Sequence, residues 1–406
     1  MWELIRVNKR NSIILFVVMA VVLVGLGMTI GAAIDPRAWL LGGLVAAGLW
    51  LFLAVLSLSS GDQILLAASR ARPVTKEVHP QLFNVVEEMT IAAGLPKMPS
   101  VYIIEDLAPN AFATGRGPHT ASIAVTAGLL AKLDRDELQG VIAHEISHIL
   151  HRDILYVTLA GVMLGAVLIV SEVFLRGLIY GDRTGRSRRY SGPTRRAPAQ
   201  AQMILLLIAV VVAVLAPILA QLLYFALSRQ REYLADAGAA RLTRYPEGLA
   251  RALEKIASDT SGPLAVANKA TAPMYIVNPF KKGLDAWTST HPPISERIRI
   301  LRSLGNTVSL VQYAKAYYKA TSRPFPIKVQ DESLPVRPGQ PGGLQANPKD
   351  KDRQAADLIR KVHGFRFLSC PCGLTLKVPP NYTAGQISCP RCGRRLVVAQ
   401  SAAGAD

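Results

Sequence analysis

Three histidines and a glutamate fall within eight residues of the stretch VIAHEISHILHRD: His144, Glu145, His148 and His151. Two imidazoles one helical turn apart can grip a single ion, and the glutamate beside the first can reach a water that the ion activates. Zinc brings the pKa of a coordinated water from ~16 to ~7, and Glu145 is placed to take its proton as a general base. That chemistry requires a helix. Asp134 followed three residues later by Glu137 matches an N-cap and its capping-box partner. Leu138, Val141, Ile142, Ile146 and Ile149 then recur at helical spacing and form a core face. At ~100° per residue, His144 and His148 share a stripe beside that face. The competing reading is a chance H-E-x-x-H on a solvated helix, and the cap and the apolar face count against it.

A catalytic zinc takes three protein ligands, so two histidines leave one to find. His151 lies seven residues after His144 and ~10 Å further along a straight helix, beyond the reach of one ion. Glu172 would sit ~36 Å from His148 on a continuous helix, deep in an apolar run. The remaining stretch is SRQREYLAD, Ser228–Asp236, in which Glu232 and Asp236 are one turn apart. Glu232 offers a ligand oxygen. Asp236 offers an acceptor for the other nitrogen of a ligand imidazole, which would fix its tautomer. The alternative for this pair is a solvated acidic face.

A second metal-like pattern closes the chain. Sixteen residues lie between the pair Cys370 and Cys372 in CPCG and the pair Cys389 and Cys392 in CPRCG. Soft thiolates in two turns, each followed by glycine, suit tetrahedral zinc. The first turn is one residue shorter than the usual C-x-x-C. LTLKVPPNYTAGQIS and RLVVA read as β-strands, so the module resembles a zinc ribbon whose metal supplies folding energy. Two disulfides are the rival reading and would need an oxidising compartment.

These sites must be positioned by an unusual chain. Half of the 406 residues are hydrophobic and 18% are charged, and the mean hydropathy of +0.26 points to the membrane. The formal charge of +18 suits nucleic acid or an anionic lipid surface; the apolar runs favour lipid, and nucleic acid is set aside. No charge interrupts Arg10 to Asp35 or Arg37 to Asp62, each longer than the ~20 residues a membrane helix needs. They form an expected hairpin, residues 1–61; a cleaved signal peptide is the alternative for the first run, which is too long for it. Further apolar runs, Ile154–Tyr180 and Met203–Leu227, make a second expected hairpin, residues 154–227, around a loop with six arginines. Buried helices of a soluble core are the alternative reading. Arg6, Lys9 and Arg10 place the N-terminus in the cytoplasm by the positive-inside rule, and two crossings return residues 62–153 there. The six arginines oppose that rule if the later runs both cross. Residues 62–153 and 228–320 read as two parts of one soluble domain, 321–363 as a Pro/Gly/charge-rich linker, and 364–406 as the cysteine module.

HEISH…RD, SRQREYLADAGAA and STHPPISERIRIL occur in this order between apolar runs. In this the chain resembles the HtpX-type membrane zinc metalloproteases, relatives of the CAAX prenyl proteases, over about its first three hundred residues. The resemblance implies a mainly α integral membrane protein with an α+β zincin-like metalloprotease domain. It implies His144, His148 and Glu232 as zinc ligands, Glu145 as the catalytic glutamate, and Asp236 behind the ligands. It also implies an edge strand that receives substrate; NAFATGRGPHTASIAVTAGLL, from Asn110, fits, with Ser122–Thr126 as the β-prone run, for which a plain core strand is the alternative. His291 is the expected oxyanion partner or substrate contact, or else the cap of a helix that Pro292 begins. The expected activity is endopeptidase cleavage of membrane or misfolded proteins at the cytoplasmic face of the inner membrane, with one catalytic and one structural zinc. The rival readings are a non-proteolytic membrane adaptor working through its ribbon, and a prenyl-protein processing enzyme, whose additional spans this chain lacks.

Overall fold

The computed structural model describes residues 2–181, 199–265, 275–277, 292–325, 333–339 and 348–398. Helices α1 (Trp2–Ile34) and α2 (Trp39–Ala68) are the two charge-poor runs. They cross closely because glycines meet there: a Cβ on Gly42 would stand 2.2 Å from the Gly27 carbonyl oxygen. Small residues at a crossing let helix backbones touch, the packing used where water does not drive association. The outward faces stay apolar, with Val21, Val45 and Phe52 more than half exposed, a surface suited to lipid. Among the described residues, Phe16–Ile34, Trp39–Ala68 and Met203–Ala220 are long and apolar enough to cross a bilayer.

The soluble elements begin with β1 (Ala71–Pro73), α3 (Pro80–Ala93), β2 (Ser100–Ile104), β3 (Ala111–Thr114) and β4 (Ser122–Thr126). The strands form one sheet in the order β1-β2-β4-β3. Strand β2 runs parallel to β4 from Ser100↔Ser122 to Ile104↔Thr126, and β3 pairs with β4 antiparallel. This corrects one expectation. Ser122–Thr126 is an inner strand, not an edge, and all five of its residues are buried. The uncharged run SIAVT is what a strand covered on both faces requires. The edge is β3, where the Ala111 carbonyl accepts a hydrogen bond from the Ile276 N–H at 2.9 Å.

A short α4 (Ala127–Lys132) leads into α5 (Arg135–Leu150), which carries the histidine pair. Its start is the expected capping box: Asp134 Oδ1 accepts from the Glu137 N–H at 2.9 Å, and Glu137 Oε2 accepts from the Asp134 N–H at 2.8 Å. Asp134→Ala removes the first of these and should cost about 1 kcal/mol. The readout is a lowered thermal midpoint of the full chain in detergent, largely restored by Asp134→Asn; an unchanged midpoint would deny the cap any part in stability. Leu138, Val141, Ile142, Ile146 and Ile149 all join the main core, as their spacing predicts.

Helix α5 ends at His151, and Arg152 turns the chain with φ 55° into α6 (Ile154–Gly181). Glu172 lies far along α6, exposed and paired with Arg176. No break in the chain marks the boundary expected between the apolar run ending at Leu227 and the soluble segment starting at Ser228. A single helix, α7 (Ala199–Thr243), spans both, with Pro217 inside it. Beyond Pro217 its sequence has no proline and consists mostly of strong helix formers, so the acidic pair Glu232 and Asp236 continues the helix that begins among apolar residues. The arginine-rich loop lies outside the described residues.

Helices α8 (Pro246–Ala257), α9 (Ile294–Arg302) and α10 (Leu310–Thr321) complete the main core with α3, α5 and the sheet. Two-residue strands β5 (Thr307–Val308) and β6 (Leu334–Pro335) pair beyond it. The expected linker 321–363 contains α11 (Pro348–Val362), whose Ala355 and Leu358 are buried in the main core. The cysteine module follows as two hairpins, β7 (Arg366–Ser369) with β8 (Thr375–Val378), and β9 (Gln386–Ser388) with β10 (Arg395–Val397).

Candidate metal centre

Helix α7 reaches α5 at a glycine. A Cβ on Gly238 would stand 2.5 Å from Ser147 Oγ, so the two helices touch there and α7 brings Glu232 and Asp236 alongside the histidine stripe. His144 Nε2 and His148 Nε2 lie 3.2 Å apart. Glu232 places Oε2 3.6 Å from His144 Nε2 and Oε1 3.6 Å from His148 Nε2. Around a tetrahedral zinc with ligand bonds of 2.0–2.1 Å, neighbouring ligand atoms are about 3.3 Å apart. His144, His148 and Glu232 therefore match one ion in both donor type and spacing, and they form a buried to half-buried group that could hold a metal.

The outer nitrogens of both rings face carboxylates. His144 Nδ1 is 3.0 Å from Asp236 Oδ1, and His148 Nδ1 is 2.9 Å from Asp153 Oδ2. With each Nδ1–H donated to a carboxylate, both Nε2 atoms present lone pairs to each other and to Glu232. With both rings neutral, the state in which they can bind a metal, three acceptors converge. A divalent cation resolves that conflict, and the carboxylates orient the rings that would bind it.

Charge points the same way. Glu145, Asp153, Glu232 and Asp236 are all buried around the histidines. Arg297, which is fully buried, touches this group. Its Nε and Nη2 donate to the two oxygens of Asp236 at 2.8 and 2.7 Å. Its Nη1 donates to the Ile276 carbonyl at 3.0 Å and lies 3.2 Å from Glu232. Burial disfavours the ionised form of Asp236, yet Arg297 and the hydrogen bond with His144 hold its carboxyl below the usual range. Burial opposes protonation of His148 too, but the Asp153 and Glu232 carboxylates push it up to about 9. Glu145 is raised, chiefly because burial penalises its charge.

His151 does not join the group. It caps α5, and burial pushes its imidazole down to about 4. Asn110 sits at the start of the edge strand, where its side-chain amide donates to the Val277 carbonyl at 3.0 Å and its N–H donates to Thr126 Oγ1 at 2.9 Å. Its side chain thus anchors the segment beside β3. His291 lies outside the described residues. Helix α9 starts at Ile294 with Pro293 as its N-cap, later than the start expected at Pro292.

Asp153 and Arg297 are parts of the centre that sequence reasoning passed over. Both lie inside the motifs HEISHILHRD and STHPPISERIRIL. The signal for Asp153 was a carboxylate just past the histidine helix; for Arg297 it was an arginine on the apolar side of an amphipathic helix.

A zinc-type donor set on two crossed helices, set in a sheet-backed domain with long apolar helices attached, defines a membrane zinc metalloprotease. The model for "Peptidase family M48" matches residues 76–304. A "Protease HtpX homolog" of Dictyoglomus thermophilum is 46% identical over 310 residues, covering 76% of this chain and 97% of that protein. A protein of the same description from Thermoanaerobacter pseudethanolicus is 42% identical over 305 residues, 75% of this chain and 98% of its own. The solved structure of Ste24p from S. mikatae aligns over 74% of this chain and 67% of its own, at 18% identity and a TM-score of 0.39. The chain belongs to peptidase family M48. It is a metallopeptidase of a family that uses zinc.

Proposed function

We propose that His144, His148 and Glu232 hold the catalytic zinc, that Glu145 is the general base, and that the substrates are membrane or misfolded proteins. The observation that carries this reading is the convergence of His144 Nε2, His148 Nε2 and the Glu232 carboxylate at 3.2–3.6 Å, each imidazole backed by its own carboxylate. Zinc, when bound, supplies Lewis acidity toward water and toward a peptide carbonyl. Glu145 takes a proton from the attacking water on its carboxylate and returns it to the departing amine. Its burial matches this work: a desolvated carboxylate is a stronger base than one in water. Asp236 and Asp153 hold the two Nδ1 protons, so that both Nε2 lone pairs stay directed inward. Strand β3 packs beside α5 and presents the sheet edge along which an extended substrate backbone would add as a further strand. At the start of that edge the Ile276 N–H already bonds to the Ala111 carbonyl, so the backbone geometry of an added strand is represented there.

Arg6, Lys9 and Arg10 in the first turns of α1, ahead of its apolar run, support a cytoplasmic catalytic domain on the inner membrane. Membrane anchoring favours substrates that are themselves in or at the bilayer, and strand addition favours those with unfolded segments. The full chain in detergent, given an unfolded membrane protein and its folded form, should cleave the unfolded one preferentially. Stripping metal with a chelator should abolish cleavage, and zinc should restore it. Proteolysis that continues in metal-free protein would end this reading.

A further inference from the structure

The family match stops at residue 304, and the cysteine module lies beyond it. Its two hairpins are near copies. Strands β7 and β8 are joined by Cys370 to Leu374, and β9 and β10 by Cys389 to Arg394. In each loop the first cysteine donates its N–H across the turn, Cys370 to Leu374 at 2.8 Å and Cys389 to Arg394 at 2.9 Å. Gly373 and Gly393 then close the turns with φ 85° and 74°, values that a side chain rarely tolerates. Each glycine N–H also returns to the carbonyl of its first cysteine at 2.9 Å. The one-residue difference between CPCG and CPRCG is absorbed in loop length, and both loops aim their sulfurs inward.

All four thiols are free, and their sulfurs lie within 4.8 Å of one another. Cys370 and Cys392 are 3.5 Å apart, Cys372 and Cys389 3.6 Å. A tetrahedron with Zn–S bonds of 2.3 Å has edges of about 3.8 Å. We infer that Cys370, Cys372, Cys389 and Cys392 hold one structural zinc ion as a tetrathiolate, a second metal site separate from the His144, His148 and Glu232 centre. Four thiolates around a divalent cation leave a double negative charge. The arginines between and after the second pair, Arg391, Arg394 and Arg395, provide the local positive field, with Arg391 Nη1 donating to the Cys372 carbonyl at 3.4 Å. Soft sulfur donors select a thiophilic ion over calcium or magnesium.

The module has little else to hold it together. Its apolar cluster consists of Leu376 and the cysteines with a few half-buried neighbours, among them Leu368, Ile387 and Leu396, so metal must supply the cohesion. It is nevertheless fixed to the catalytic part. Lys377 of β8 pairs with Asp357 of α11, Lys361 lies over the Phe367 ring at 5.6 Å, and His363 Nε2 meets Glu105 Oε2 at 2.8 Å just after β2. Leu358, one residue from Asp357, is buried in the main core.

The test uses the full chain in detergent and does not depend on proteolysis. Metal analysis should find two zinc ions per chain. Titration with an organomercurial should consume four thiols and release one zinc, while a second zinc stays until a chelator removes it. Cys389→Ser/Cys392→Ser should lower the count from two to one, and His144→Ala should remove the other ion. The inference is overturned if the mercurial releases no zinc, if the wild-type thiols are absent as two disulfides, or if the thiol-released metal is iron. The titration is made on wild-type protein, so a variant that fails to fold leaves the outcome decided.

Discussion

Glu145→Gln protein keeps its zinc and loses peptide hydrolysis by about 10²–10⁴-fold, the range expected when a general base is removed. The substitution keeps the shape of a side chain that is only 1% exposed and replaces a buried charge with a neutral amide. Burial is the main cause of the raised Glu145 carboxyl, and the nearby Glu232 and Asp153 raise it further. Removing that charge therefore should not weaken the fold, and any loss of activity reads directly as lost proton transfer. None of the contacts between His144, His148, Glu232 and their two carboxylate partners passes through Glu145, so metal content should not fall. The measurement is turnover of an unfolded membrane substrate at saturating zinc, with metal analysis on the same sample. Undiminished turnover would remove Glu145 from the chemistry. Lost turnover with lost zinc would make it a support of the ion instead of a base.

The histidine helix was readable in the sequence because three local signals agreed: an N-cap, a core face and the two-histidine stripe. Each is carried by residues within one helix, and the structure shows the capping box and the buried face. Spatial order was not readable in the same way. Nothing in SIAVT distinguishes an inner parallel strand from a plain core strand at an edge until its neighbours are placed, and β4 lies between β2 and β3. The break after His151 was hidden because apolar residues resume at Ile154, so the pattern reads as one continuous helix. That break is what returns Asp153 to His148. Helix α11 did carry a signal, with Ala355, Leu358, Ile359 and Val362 at helical spacing. The Pro- and Gly-rich composition just before it masked that pattern. The contact of Arg297 with Asp236 joins residues 61 positions apart and depends on the packing of α9 against α7.

Arg297→Met should destabilise the protein by about 3–5 kcal/mol, the cost of breaking a buried ion pair by removing one partner. Both side chains are 0% exposed, so no water can take over the two hydrogen bonds that Asp236 loses. The Ile276 carbonyl loses its donor in the same step. Arg297→Met/Asp236→Asn should recover part of the loss, because it removes the stranded charge along with its partner. The sign with pH follows from Asp236. A carboxyl whose folded pKa is lowered contributes stability above its unfolded value of ~3.9, and that contribution is lost as pH falls through the folded value. In the variant the lowering is relieved, so the deficit is full near neutral pH and shrinks toward pH ~4. Zinc binding should weaken as well, by about 10–100-fold, as it does when the partner of a ligand histidine is disturbed. With Arg297 gone, Asp236 favours the protonated form of His144, and a proton on Nε2 competes with the ion. Calorimetric unfolding and zinc titration of the single and double variants measure these two effects separately. Equal stability losses in both variants would show that Arg297 acts by filling space; a smaller loss in the double variant, with zinc affinity still reduced, marks it as the residue that holds Asp236, and through it His144, in position.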